Sequence, residues 1–191
     1  MNKSLLAATV VICMGATTVT AQDWTLDAET SRLAFGSVKN TYIGEVHTFE
    51  GLSGTVSRDG EVAIEVSLAS VSTNIDIRNE RMGEHVFGGA PTASLTGSID
   101  MDTLKTMRPG ETTTLEMGAV LSFLGNEVDV FTELFVVRTS PRSVMVTTND
   151  MIMLTTEDLG IDAGIDTLQE LASLESITRV TPVTLRFVFE R

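Results

Sequence analysis

The chain is poor in reactive and cross-linking residues: one cysteine, two histidines, four prolines, one tryptophan and one tyrosine among 191 residues. Its thirteen lysines and arginines are outnumbered two to one by twenty-six acids. Each shortage excludes something. A single cysteine, Cys13, forms no intrachain disulfide, so the fold has to be held by its sheet and core alone. His47 and His85 are far apart and have no cysteine beside them, which leaves no ligand set for zinc. Asp158, Asp162 and Asp166 lack the spacing of a calcium loop and read as an acidic loop. No serine stands in a Gly-x-Ser-x-Gly elbow and no glycine-rich stretch cradles a phosphate. No catalytic residue and no metal ligand is assigned, and the chain is not expected to be an enzyme. A formal charge of −13 repels nucleic acid phosphates and anionic lipid headgroups, which argues against both as binding surfaces.

The ends carry their own signal. Lys3 precedes an apolar stretch from Leu5 to Gly15, and small residues follow up to Ala21, the pattern of a cleaved secretory signal over residues 1–21. The stretch is shorter than the roughly 18 residues a membrane span needs. Ile12 stands before Cys13 where a lipoprotein signal would place a small residue. Cleavage removes the only cysteine and one positive charge, Lys3, moving the formal charge from −13 to −14. The expected location is the periplasm or the exterior of the cell. Residues 22–191 are expected to form one domain, since no Pro/Gly/Ser-rich linker divides them.

What the chain has in abundance is alternation. Val62, Ile64, Val66 and Leu68 fall on one face, and Ala63, Glu65, Ser67 and Ala69 on the other, as in a half-buried strand. Strand-like runs recur over 33–35, 42–49, 52–57, 93–101, 113–123, 127–137, 143–148 and 183–190. Asp59-Gly60 and Arg108-Pro109-Gly110 mark turns, the first a strong hairpin signal. Leu115, Met117, Ala119, Leu121 and Phe123 keep to odd positions, and Val183, Leu185, Phe187 and Phe189 do the same at the end. Two segments break the rule. Residues 79–87 are polar and irregular and read as a loop with a helical turn. Residues 166–174 place Leu168, Leu171, Ala172 and Leu174 at helical spacing, with Asp166 as N-cap, and read as a short helix packed on a barrel end. The expected fold is all-β: an antiparallel barrel of about eight strands with one or two short helices.

A barrel of that size is either filled by its own side chains or holds one ligand. Eight phenylalanines and nine methionines suit a flexible apolar ligand and an ordinary core equally well. Arg78 and Arg81 could hold a polar or anionic headgroup at a cavity mouth, or pair with Glu80 and Glu84.

The order of motifs resembles the YceI-like family of exported, lipocalin-like, polyisoprenoid-binding proteins. Trp24-Thr25-Leu26-Asp27 with Ser31 and Phe35 is similar to its opening strand, and residues 49–54 (Phe-Glu-Gly-Leu-Ser-Gly) to its glycine-spaced turn. Ser70-Val71-Ser72-Thr73 and Ile77-Arg78-Asn79 resemble its Ser-Val-x-Thr and Arg-Asp region. His85-Val86-Phe87, Ala90-Pro91-Thr92-Ala93, residues 121–128 and Leu159-Gly160-Ile161 follow in the family's order. Residues 165–174 resemble a helical insertion found in part of it. Thr30 departs from the usual histidine, and residues 155–158 from the common Arg-Ser-Asp-Phe. The resemblance implies a lipocalin-like barrel whose apolar interior takes a polyisoprenoid, an isoprenoid quinone or a fatty-acid-like lipid, with no cofactor required. The candidate wall residues are Phe35, Phe49, Val66, Leu68, Phe87, Leu121 and Phe123, each equally a candidate core residue. A carrier or sequestering protein is the leading expectation. The alternatives are an interaction module delivering or protecting quinone for a membrane redox partner, and a structural barrel with a filled core. A homodimer and that redox partner are the candidate protein partners.

Overall fold

The computed structural model describes residues 23–191; the expected leader, residues 1–21 with Cys13, lies outside the described residues. Twelve strands and three helices follow one another: β1 Trp24–Leu26, β2 Arg32–Lys39, β3 Ile43–Phe49, β4 Leu52–Val56, β5 Glu61–Ser67, β6 Val71–Ser72, α1 Asp76–Arg81, β7 Thr92–Ser98, α2 Asp102–Thr106, β8 Thr112–Phe123, β9 Asn126–Ser140, β10 Ser143–Thr148, β11 Ile152–Thr155, α3 Asp162–Leu171 and β12 Val180–Glu190.

Every pairing is antiparallel, in the order β1-β4-β5-β7-β8-β9-β10-β12-β2-β3-β6. Strand β12 closes the sheet. One of its edges takes β2 along Val183–Arg186 and β1 at Phe189–Glu190, while the other takes β11 and β10. β1 with β2, β3 with β4, and β10 with β11 each serve as one bent stave, giving a closed eight-stranded barrel of the lipocalin-like kind. Closure removes the open edges that alternating strands would otherwise expose. One stretch stays open: β3 is paired beyond β2 only at Thr48 and Phe49, by the short β6. Helix α1 follows β6 and reaches back over that stretch, where Arg78 binds Glu45.

The alternation does what strand geometry requires. Val62 and Ile64 are buried and Ala63 and Glu65 exposed, so each inward side chain adds to the core at roughly 25 cal/mol per Å² of apolar surface buried. Strand β5 stops at Ser67, two residues short of the expected run. Leu68, the most buried of the set, opens a 3-10 turn, Leu68–Ser70, fixed by Ser70 Oγ donating to the Ser67 carbonyl at 2.6 Å. The Asp59-Gly60 hairpin forms as the turn residues predict: Gly60 has φ +95° and lies so close to the Ile99 carbonyl that a Cβ would collide with it.

Three expectations are corrected. Residues 79–87 are not a loop: α1 runs to Arg81 and continues as a wide π-type turn, Met82–Val86, closed by the Phe87 N–H on the Met82 carbonyl at 2.9 Å. The widened turn brings Met82, Val86 and Phe87 inward together. Asp166 does not cap α3, which starts four residues earlier at Asp162. Ile161 is the N-cap, with no side-chain cap bond. Asp162 accepts instead from the Thr156 hydroxyl, and Asp166 pairs with Arg179. Asp162 and Asp166 thus lie on a helix and not in an acidic loop, while Asp158 stays in the turn before it and accepts from the Thr155 hydroxyl. Strand β11 and helix α2 had not been expected.

The interior is packed in two layers. One holds Trp24, Leu26, Ile64, Met117, Leu134, Val136, Phe187 and Phe189. The other gathers Leu68, Val71, Met82, Val86, Phe87, Phe123, Leu159 and Ile165 under α1, the π turn and α3.

Candidate functional site: an apolar cavity with one polar corner

The second layer is not filled. Between it and the barrel wall lies a cavity of about 530 Å³, inside the roughly 300–1,000 Å³ range of small-molecule sites. A smaller cavity of about 150 Å³ lies toward Trp24. Ile64, Leu95, Met117, Leu185 and Phe187 line both, so one layer of side chains separates the two compartments.

Four phenyl rings run along the larger cavity. Phe35 stacks on Phe49 at 5.3 Å between centroids, Phe49 meets Phe87 at 6.0 Å, and Phe87 meets Phe123 edge-on at 6.2 Å. Such tilted and offset contacts are the favourable ones for aromatic pairs. Helix α3 forms the cover with Ile165 and Leu168. It can sit this close because residue 164 is glycine, where a Cβ would collide with the His85 carbonyl and come within 2.8 Å of the Val86 Cα. Ile75 and Ile77, about half exposed, line the same cavity from the α1 side.

The polar groups gather at one corner, where β2, β3 and α1 meet. The β2–β3 register pairs Phe35 with His47, Ser37 with Glu45, and Lys39 with Ile43, so Ser37, Lys39, Glu45 and His47 share the inward face. Glu45 takes a bond from Lys39 Nζ at 3.0 Å and another from Arg78 Nη1 at 2.7 Å. Arg78 Nη2 donates to the Thr73 carbonyl at 2.6 Å, and Thr73 is itself held through its N–H and hydroxyl by Asn79. Burial works to raise the Glu45 carboxyl, but the bonds and charges of Arg78 and Lys39 outweigh it and hold the group below its ordinary value. His47, 4% exposed, lies 3.0 Å through Nε2 from Ser37 Oγ. Burial, reinforced by the charges of Arg78 and Lys39 against the opposing pull of Glu45, pushes its imidazole below the usual histidine range. Both effects favour the neutral ring. Two buried nitrogens in this corner have no partner, His47 Nδ1 and Arg78 Nε.

All nine residues singled out in the sequence line the larger cavity: Phe35, Phe49, Val66, Leu68, Phe87, Leu121, Phe123, Arg78 and Arg81. The two arginines do not pair with Glu80 or Glu84. Arg78 binds Glu45, and Arg81 reaches the Leu171 carbonyl at the end of α3 at 3.4 Å. Sequence reasoning missed Ser37, Lys39, Glu45 and His47 as wall residues. The β2–β3 hairpin register was the signal that would have found them. His85 lies outside this cavity, against Glu84 at 3.7 Å. Ser37 and His47 form a hydroxyl–imidazole pair, but a nucleophile needs its base oriented by a third group, and no acid holds Nδ1. Among the described residues no group of three or more His, Cys, Asp or Glu is placed to hold a metal ion.

No family model matches the chain, and neither does any curated protein. Solved structures do. A polyisoprenoid-binding domain from Saccharophagus degradans, implicated in plant cell wall breakdown, is 34% identical, covers 87% of this chain and 97% of its own, and superposes with a TM-score of 0.85. BcnA of Burkholderia cenocepacia shares the fold at 13% identity, over 85% of this chain and 98% of its own, with a TM-score of 0.66. With a barrel of this topology and a relative this similar over nearly its whole length, the chain belongs to the YceI-like family.

Proposed function

We propose that the protein is an exported carrier or sequestering protein that holds a polyisoprenoid, or an isoprenoid quinone with such a tail, in its larger cavity. The observation that carries this reading is the cavity itself: about 530 Å³, walled by phenyl rings and aliphatic side chains, in a barrel whose 34% identical relative is a polyisoprenoid-binding domain. The filled-barrel alternative has no use for such a space. Each methylene taken out of water contributes roughly 0.8 kcal/mol, so two or three isoprene units supply the binding energy without any polar contact. Export rests on the leader pattern of residues 1–21.

The test is mass spectrometry of organic extracts from protein purified without denaturant. A prenyl lipid or quinone at near-stoichiometric amount is expected. No lipid in the extract, together with no uptake of added prenyl lipids, would overturn the proposal.

A further inference from the structure

The two compartments of the barrel are kept apart by five side chains, Ile64, Leu95, Met117, Leu185 and Phe187, which line both. They come from opposite sides of the wall. Ile64 and Leu95 face each other across β5 and β7, Met117 stands on the next strand, β8, and Leu185 and Phe187 project from β12, across the closed sheet. Met117 is the only unbranched member of the layer, and its flexible thioether chain is the one that adapts most readily. On the α1 side, Ile75 and Ile77 line the larger compartment and are 44% and 52% exposed, so it meets solvent there. Beyond the layer, the smaller compartment ends at Trp24, whose ring has the guanidinium carbons of Arg138 and Arg191 at 4.9 and 4.4 Å. A tail entering past α1 therefore runs up against the layer, with a second apolar space closed off behind it.

We infer that this layer is a ruler for the tail: it ends the ligand site at Met117 and sets the preferred prenyl chain at about four to five isoprene units; the inference rests on the lipid-binding reading above. The volumes give the length. Packed to the density of a protein interior, one isoprene unit takes up about 115 Å³. The larger compartment, at about 530 Å³, is full with four of them and part of a fifth, and the smaller, at about 150 Å³, takes one more only if the layer is opened. A longer tail has to back out through the mouth, where each further unit stays in water and forfeits its hydrophobic gain. A shorter one leaves apolar wall without contacts. The two losses together make an optimum, and its position depends on the layer. Truncating Met117 to alanine removes three heavy atoms from it and joins the compartments.

Phosphatidylcholine vesicles carrying equal amounts of prenols of ten, fifteen, twenty (geranylgeraniol), twenty-five and thirty carbons supply the probes. Protein is incubated with them and re-isolated, and the bound prenols are quantified against the supply by mass spectrometry. Because the supply is itself an apolar phase, any part of a tail left in water lowers its share of the bound fraction. Wild type is expected to peak at twenty or twenty-five carbons, with thirty carbons about tenfold or more below the peak. Met117→Ala and, independently, Leu95→Ala, at a position only partly buried, are expected to move the peak to thirty. Val146 lines the smaller compartment and not the larger, so adding Val146→Phe to Met117→Ala refills the space and is expected to bring the peak back. A wild-type profile that is flat or still rising at thirty carbons overturns the inference and leaves the cavity reading standing. So does a peak that stays in place in whichever opened variant folds, or one that Val146→Phe fails to bring back. Uptake of no prenol by wild type overturns the cavity reading first, and the inference with it.

Discussion

Val66→Trp should weaken ligand binding by about ten- to a thousandfold while leaving the barrel standing. Val66 points from β5 into the larger cavity, opposite Leu52 and Ala93 in the sheet. Replacing it with tryptophan adds about seven heavy atoms, more than one five-carbon isoprene unit, to space that is free rather than packed. Overpacking a filled core costs about 1–3 kcal/mol; here the cost should stay within about 1 kcal/mol. Excluding one isoprene unit forfeits at most about 4 kcal/mol, on the order of a thousandfold in affinity, and repositioning of the tail reduces that toward tenfold. Ala119→Trp is the matched control. Ala119 is buried in the first layer and lines neither cavity, and its Cβ would already lie 2.9 Å from one added at Gly97. It should lose 1–3 kcal/mol or more by the usual overpacking penalty. Denaturant unfolding and fluorescence titration with geranylgeraniol read both quantities. Refutation would be a Val66→Trp protein that binds as tightly as wild type, or one destabilised as much as Ala119→Trp.

Acid should weaken the fold through His47. Its folded-state value is lowered from 6.5, so between the two values the unfolded chain holds the extra proton and stability falls as pH drops through that window; above it the group contributes nothing. Unfolding midpoints of wild type and His47→Phe between about pH 5 and 7 should show a slope in the first that is reduced in the second, and equal slopes would refute the assignment. Gly60→Ala should cost more than about 1 kcal/mol, because it strains a positive φ and meets the Ile99 carbonyl at once; a neutral effect in thermal unfolding would contradict the hairpin geometry. Gly164→Ala should destabilise although alanine favours helix by about 1 kcal/mol, since the methyl would enter the His85 backbone beneath α3. A gain in melting temperature would show that α3 does not sit on the π turn.

The barrel was legible because its strands keep one face dry for long stretches. Thr112–Phe123 and Asn126–Ser140 pair residue by residue around Leu124-Gly125, and both turn residues take positive φ, as a tight two-residue hairpin needs. Ile152–Thr155 was invisible for the opposite reason: four residues give alternation too little length to show, and the strand exists because β12 offers it an edge. The π turn hid Met82 and Val86, which sit in a stretch that reads as polar and irregular. The seven apolar wall positions could be read because they sit on inward faces. His47 looked solitary because its neighbours come from elsewhere: Ser37 lies ten residues back across a hairpin, and Arg78 comes from a helix thirty-one residues on. The turn joining β2 to β3 carries Asn40 and Thr41, both at positive φ. Without that turn the register, and with it the polar corner, could not be assigned.

A crystal structure of the protein with geranylgeraniol tests the account most directly. The account predicts continuous density for the tail between Phe35, Phe49, Phe87 and Phe123. Density confined to the outer surface, or a cavity that stays empty at saturating ligand, would contradict it.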